Sequence, residues 1–351
     1  MQDYSPIDKL LHKIVLGFPA IDELLSGIEK TLFFEKADTT NLGQPVFITG
    51  LARAGTTVLM RALYESGQFA SLTYDDMPFV MAPNLWQKIA GKHKKKRAKA
   101  ERAHGDGVEV DFDSPEALEE VFWKTYHGNE YIKKTTLKVH PITKESDELF
   151  VAYQALVCKR YNKQRYLSKN NNHILRIKSL AQSRSKPIIF VPFRNPIKQA
   201  YSLLNQHLRF LDCEPFVRQY MVWLAHHEFG ATHKPFSFNK EFYSNYQTNT
   251  IEYWLERWID VYRYLLGYLK KQPPKVIPIC YERLCGEPSH WDYICRIVGI
   301  PNRQESYFSA SIKRKECPGL PDEMKATAYN VYQELNITAP PVFEFVTPKP
   351  G

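Results

Sequence analysis

Three groups of residues in this chain could hold an anion. The first is Gly50-Leu-Ala-Arg-Ala-Gly55-Thr56-Thr57, two glycines followed by two hydroxyls. Glycine lets the backbone turn tightly enough for successive N–H groups to face one ligand. The first turn of a helix starting near Thr56 adds unpaired donors and the positive end of its dipole. The G-x-x-x-x-G spacing is that of nucleotide-hydrolase P-loops, but Thr56 stands where their lysine follows the second glycine, and the basic group lies inside the loop at Arg53. The second group is Arg194 with Ser202, and the third is Tyr281-Glu282. A guanidinium grips a phosphate monoester through two parallel N–H bonds, and a serine on the following helix adds another. A magnesium-dependent hydrolase needs a carboxylate to hold its metal where Arg194 stands, so the pattern points to binding of a bare phosphate without metal.

Each group ends an apolar run that reads as a strand: Pro45–Ile48, Pro187–Pro192 (PIIFVP) and Lys275–Tyr281 (KVIPICY). Helices are expected after them over Val58–Tyr64, Ile197–His207 and Trp291–Val298. Elsewhere, helical spacing predicts two amphipathic helices in residues 6–38, helices over Glu148–Tyr161 and Glu323–Leu335, and a helix over Ile174–Ser183 after a strand Arg165–Lys169. Asp113-Ser114-Pro115 is a start signal for a helix Pro115–Thr125. A strand is expected over Lys138–Pro141, and residues 216–269 read as aromatic-rich and largely helical. Alternating strands and helices imply an α/β domain around a parallel sheet, in which ligands bind outside the carboxyl ends of the strands.

The bulk numbers limit the partners. A net charge of +9 and a pI near 9.0 favour anionic ligands without choosing among them. There is no apolar run of about 18 residues, and MQDYSPIDKL lacks the pattern of a signal peptide, so a cytoplasmic protein is expected. The six cysteines show no C-x-x-C pair and read as reduced thiols, with no metal site. Lys92–Arg102 (KHKKKRAKAER) is a solvated face or a surface for an anionic acceptor or membrane. His226-His227-Glu228 and His233 could suggest a metal cluster, but neighbouring histidines on a helix point apart, which favours packing. Tyr253, Trp254, Trp258, Tyr262 and Leu265 have the spacing of a core stripe.

The three groups together resemble the sulfotransferases that use 3′-phosphoadenosine 5′-phosphosulfate (PAPS), over roughly Pro45–Pro301. ITGLARAGTT is similar to the family's 5′-phosphosulfate loop, P-[RK]-S-G-T-T, which puts Arg53, Ala54, Gly55, Thr56 and Thr57 on the donor. Ala52 and Ala54 depart from its proline and serine, so one hydroxyl is missing. VPFRNPIKQAYS is similar to the 3′-phosphate motif, with Arg194 and Ser202 as ligands, and ICYERL to the Y-E-x-L segment, whose tyrosine, here Tyr281, lies near the adenine. Lys313-Arg314-Lys315 falls where some members close a basic loop over the 3′-phosphate, without the R-K-G form.

The resemblance implies a P-loop-like three-layer α/β sandwich as one domain over residues 1–351. Its nucleotide core would span about 44–301, and inserted helical segments at about 84–165 and 205–270 would form the acceptor pocket. The implied reaction is metal-free in-line transfer of the sulfuryl group from PAPS to a hydroxyl or amine, releasing adenosine 3′,5′-bisphosphate (PAP). The acceptor would be a small molecule, glycan, lipid or peptide, and no nucleic-acid partner is expected. Arg53, the loop amides and the helix N-terminus would neutralise charge on the leaving oxygens. Lys169 corresponds to the lysine of the K-T-H triplet of cytosolic members, but Asn171 replaces the catalytic histidine, and His173 reads as structural. Branches without that histidine, such as tyrosylprotein and bacterial carbohydrate or lipid sulfotransferases, use a glutamate. The candidates for the base are Glu119 or Glu120 on the helix over 115–125, which also carries Glu116, and His104. Phe122 and Trp123 beside Glu119 would raise its pKa, whereas Glu120 could pair with Lys124 on the surface. The alternatives are a P-loop kinase or hydrolase, a non-catalytic PAP-binding module, and an RNA- or membrane-binding protein working through Lys92–Arg102.

Overall fold

Val46, Phe47 and Ile48 are all buried, as a parallel strand covered on both faces requires. The structure is a computed structural model and describes residues 5–36, 41–90, 100–101, 109–110, 117–238, 244–271, 273, 275–302, 308 and 319–339. Its strands are β1 (Val46–Ile48), β2 (Phe69–Ala70), β3 (Ala100–Glu101), β4 (Glu109–Val110), β5 (Leu137–Lys138), β6 (Arg165–Lys169), β7 (Ile188–Phe193), β8 (Phe236–Ser237) and β9 (Val276–Cys280). Five form a sheet in the order β2-β6-β1-β7-β9, every pair parallel. The three strands expected to carry ligand groups, β1, β7 and β9, are therefore direct neighbours. β3 with β4 and β5 with β8 make two small separate pairs.

The helices are α1 (Pro6–Gly17), α2 (Pro19–Phe33), α3 (Thr56–Tyr64), α4 (Pro83–Ala90), α5 (Glu120–Tyr131), α6 (Lys144–Arg160) and α7 (Ile177–Leu180), then α8 (Pro196–Leu211), α9 (Pro215–Trp223), α10 (Ile251–Leu269), α11 (Tyr281–Gly286), α12 (Pro288–Val298) and α13 (Asp322–Thr338). Side chains alternate across a strand, so the sheet feeds two cores. Val46, Ile48, Ile188 and Phe190 pack with Leu59 and Leu63 of α3 and Trp291 and Ile294 of α12. Phe47, Ile189, Val191 and Phe193 face the larger core, built from Phe122 of α5, Phe150 of α6, Leu203 of α8 and the aromatic stripe of α10. Burying one such phenylalanine contributes about 1.5–3 kcal/mol, so the sheet is fixed from both sides. This is a mixed α/β fold with a central parallel sheet between helical layers. No helix among the described residues is long and apolar enough to cross a membrane.

Some elements differ from expectation, and the strand expected over Lys138–Pro141 is only Leu137–Lys138. The helix expected over Pro115–Thr125 runs instead from Glu120 to Tyr131. It continues past Thr125 because His127 and Tyr131 are buried, with Tyr131 stacked on His140 at 4.8 Å. The stretch Ile174–Ser183 is not one helix: a 3-10 turn over Asn171–Arg176 precedes the short α7. Asn170 caps that turn by accepting a bond from the Asn172 N–H, and Arg176 is drawn inward to a carboxylate of α5. The local side-chain bonds outweigh helical periodicity there.

Candidate functional site

The anion loop joins β1 to α3. Gly50 has φ +157° and Gly55 φ +91°, and both positions are closely packed. A Cβ at Gly50 would lie 2.9 Å from the Pro192 carbonyl oxygen, and one at Gly55 would collide with the Tyr281 ring. These are therefore places where only glycine lets the backbone approach its neighbours. Arg53 itself has φ +67°, a strained conformation for a side-chain-bearing residue that the surrounding structure must hold. Its Nε donates to Ser202 Oγ at 3.0 Å, so the basic residue of the loop meets the serine of α8. Gly55 is the N-cap of α3 and offers no side-chain cap, which leaves the N–H groups of Thr56 and Thr57 to an anion. Ala54 is fully buried, so this position of the loop faces packing rather than the cleft.

Behind the loop stands Gln199 of α8, completely enclosed. Its amide nitrogen donates to the carbonyls of Leu51 (3.3 Å) and Ala52 (2.9 Å), and its carbonyl accepts from Trp258 Nε1 of α10 at 3.0 Å. Tyr262, one turn on, donates to the Pro192 carbonyl at 2.9 Å. With both ends of the amide satisfied, the loop's carbonyls are turned inward, which favours N–H groups on its outer side. Periodicity places Trp258 and Tyr262 in the core but gives no hint that they brace the loop through Gln199.

Arg194 follows β7, half-buried, with its guanidinium carbon 5.6 Å from the Tyr281 ring centroid and its Nε 4.0 Å from Glu282 Oε1. Glu282 is itself anchored, because it accepts from the Asn195 N–H (2.9 Å) and from the Tyr332 hydroxyl of α13 (3.2 Å). Arg194 is thus positioned between an aromatic face and a fixed carboxylate at the end of the strand next to β1. Burial pushes the Tyr281 phenol up to about 12, so it is neutral and can only add dipoles to the site. Arg53, Ser202, Arg194 and Tyr281 are gathered at the ends of three adjacent strands.

Glu119, the residue before α5, and Glu120, its first residue, stand elsewhere and are held by several partners. Glu119 is buried, with His173 Nε2 2.7 Å away and bonds from Trp123 Nε1 (3.1 Å) and the Tyr166 hydroxyl (2.9 Å). Burial alone would raise its pKa, but the charge and hydrogen bonds of His173, with Ser168 and Trp123, pull it down to about 2. That reverses the rise expected from its aromatic neighbours, chiefly because His173 sets a positive charge and a hydrogen bond against the carboxylate, with Trp123 adding a smaller bond. Glu120 is gripped by both terminal nitrogens of Arg176, at 2.7 and 3.0 Å, and by Asn170 Nδ2 at 2.6 Å. It is not paired on the surface with Lys124, whose amine instead donates to the carbonyls of Leu16 and Trp223. Both carboxylates are enclosed by their partners in this arrangement. His173 is likewise enclosed, edge-on to Phe47 at 5.3 Å. His104, Glu116, Lys313 and Arg314 lie outside the described residues, as does Lys92–Arg102 apart from Ala100–Glu101.

A different carboxylate reaches the sheet edge. Lys169 ends β6, and the next turn carries Asn171, whose Nδ2 donates to Glu228 Oε1 at 3.1 Å. Burial would raise the Glu228 pKa, but His226, Lys169 and the Asn171 bond together hold it below the usual carboxylate range. Glu228 lines a small cavity of about 30 Å³ together with Leu51 and Ala52 of the anion loop. The neighbouring histidines have separate tasks. His226 Nε2 sits on the Ala117 carbonyl, His227 Nδ1 on Thr232, and His233 between the His227 carbonyl and the Tyr253 hydroxyl. Burial lowers both His227 and His233 to about 4, so they are neutral near pH 7. The sequence reads this run as packing and gives no sign that Glu228 meets Asn171 past the end of β6.

Comparison with known proteins follows the same lines. A family model described as "Sulfotransferase family" matches residues 45–304. Among solved structures, sulfotransferase STF9 from Mycobacterium avium is 13% identical, with 93% of this chain and 76% of that chain covered and a TM-score of 0.48. Sulfotransferase STF1 from Mycobacterium tuberculosis H37Rv is 11% identical, with 94% and 86% covered and a TM-score of 0.44. A sulfotransferase from Alicyclobacillus acidocaldarius is 13% identical, with 84% and 96% covered and a TM-score of 0.35. No curated protein matches the chain in sequence.

Proposed function

Because this chain belongs to the sulfotransferase family, its matched region spanning the anion loop and all three ligand-bearing strand ends, we propose that it transfers the sulfuryl group of PAPS to an acceptor hydroxyl or amine. The observation that carries this reading is the meeting of Arg53, Ser202, Arg194 and Tyr281 at the ends of neighbouring β1, β7 and β9. The loop fits a phosphosulfate, since Gly50 and Gly55 approach their neighbours too closely for any side chain. In this reading the loop amides, Thr56, Thr57 and Arg53 hold the 5′-phosphosulfate, Arg194 with Ser202 the 3′-phosphate, and Tyr281 the adenine side. Lys169, at the end of the neighbouring β6, adds positive charge on the acceptor side. The protein's electrostatic task is to receive the charge left on the 5′-phosphate as the sulfuryl group departs, and fixed donors do this without reorganising.

The test is ligand selectivity in thermal unfolding. PAP at a hundred times its Kd should raise the melting temperature by roughly 4 °C for a chain of this size, with ATP and magnesium giving less. A larger shift with ATP and magnesium would favour a kinase or hydrolase and sink the proposal. The arginine at β7 gives a second check. Arg194→Ala removes one charged, two-pronged contact and should weaken PAP binding about 10- to 100-fold by titration calorimetry. An unchanged Kd would place the 3′-phosphate elsewhere.

A further inference from the structure

The geometry points to Tyr332 of α13 as a positioning residue that sets Arg194 for a 3′-phosphate, so that the C-terminal helix governs selection of nucleotides carrying that group. This rests on the sulfuryl-transfer reading given above. Tyr332 lies beyond residues 45–304, so the family match does not extend to it.

Arg194 and Tyr332 are joined through one carboxylate. Glu282 turns Oε1 toward the strand end, where it accepts from the Asn195 N–H at 2.9 Å and stands 4.0 Å from Arg194 Nε. Its Oε2 faces α13, accepting from the Tyr332 hydroxyl at 3.2 Å with the Cys280 thiol 3.6 Å away. One oxygen therefore serves the site and the other the helix. Burial pushes both the Tyr332 phenol and the Cys280 thiol up, so each keeps its proton near pH 7 and can donate. Of the two, the hydroxyl is the strong donor and the thiol the weak one. Bonds on both oxygens fix the plane of the carboxylate, which holds the backbone just after Arg194 and the Nε side of its guanidinium. The terminal nitrogens form the fork that a phosphate takes.

The tyrosine is itself held by the core. Its ring stands edge-on to Phe193, the residue before Arg194, with centroids 5.8 Å apart. Ala328, Val331 and Leu335 of the same helix are buried in the larger core, and Lys270, just past α10, bonds Glu334 of α13 at 2.5 Å. The hydroxyl is thus presented from a fixed helix. Without it, Glu282 Oε2 keeps only the thiol, and the carboxylate is free to turn toward the guanidinium and compete with an incoming phosphate for it. A nucleotide with no 3′-phosphate makes no use of Arg194, so its binding is indifferent to the hydroxyl.

Titration calorimetry on the full chain tests this with PAP and with adenosine 5′-phosphosulfate, which carries the 5′ group of the donor but no 3′-phosphate. Tyr332→Phe keeps the ring against Phe193 and removes only the hydroxyl. It should weaken PAP about 5- to 20-fold, as loss of a hydrogen bond to a charged group does, and leave adenosine 5′-phosphosulfate within about two-fold. In an Arg194→Ala background the same change should alter PAP affinity by less than about two-fold, because the group through which it acts is gone. Tyr329→Phe, at an exposed tyrosine one turn earlier on α13, should change neither ligand. A merely structural role would weaken both ligands together and do so with or without Arg194. An equal loss for the two ligands, the same loss in both backgrounds, or PAP affinity unchanged in Tyr332→Phe overturns the proposal. A wild type that binds neither nucleotide is a separate result, which removes the nucleotide reading itself.

Discussion

Turnover by the Arg53→Ala variant should fall about 10²–10³-fold, with a smaller loss of PAP affinity. Arg53 is the cationic side chain of the anion loop, held at φ +67° and tied through Nε to Ser202. A donor aimed at charge that develops only as the sulfuryl group leaves contributes more to the transition state than to binding. The two parameters should therefore separate, and steady-state kinetics beside calorimetry would show it. Arg53→Lys keeps the charge but not the planar fork and should recover only part of the rate. A kcat within ten-fold of wild type for Arg53→Ala would mean that the loop amides and helix α3 do the work without the side chain.

The largest stability effect is expected at Arg176. This residue is 1% exposed and bonds both oxygens of Glu120 while lying over the Trp123 ring at 4.5 Å. Arg176→Ala leaves the Glu120 carboxylate enclosed without its counter-charge, at a cost of about 3–5 kcal/mol. The melting temperature should drop by several degrees in calorimetry. Glu120→Gln should lower it too, since it leaves Arg176 enclosed with a neutral partner. These variants also decide the role of Glu120: a variant that melts like wild type yet cannot turn over would restore Glu120 as a catalytic group.

The anion loop and the strands beside it were legible in the residues because their signals are local. A strand, a glycine turn, an arginine and a helix follow one another at β1 and β7, and the order of neighbours in a parallel sheet makes their ends converge. The pairings of the buried carboxylates were not. Glu228 meets Asn171, 57 positions away, and Glu120 meets Arg176, 56 positions away. No periodicity encodes such pairings. The start signal at Asp113-Ser114-Pro115 suggested a helix ending at Thr125, whereas burial of His127 and Tyr131 carries α5 to Tyr131. Glu119 was misread for a related reason: only the fold brings His173 against it, and that charge outweighs burial beside Phe122 and Trp123.

Gln199 offers nothing to a ligand, yet it sets the shape of the surface a ligand meets, through Leu51 and Ala52 in front and Trp258 behind. The anion site is therefore adjustable from its rear. Changes along the seam between α8 and α10 can tilt the loop by fractions of an ångström while every ligand-facing atom keeps its identity. A lineage could retune the donor site by drift in its core, leaving the loop sequence untouched.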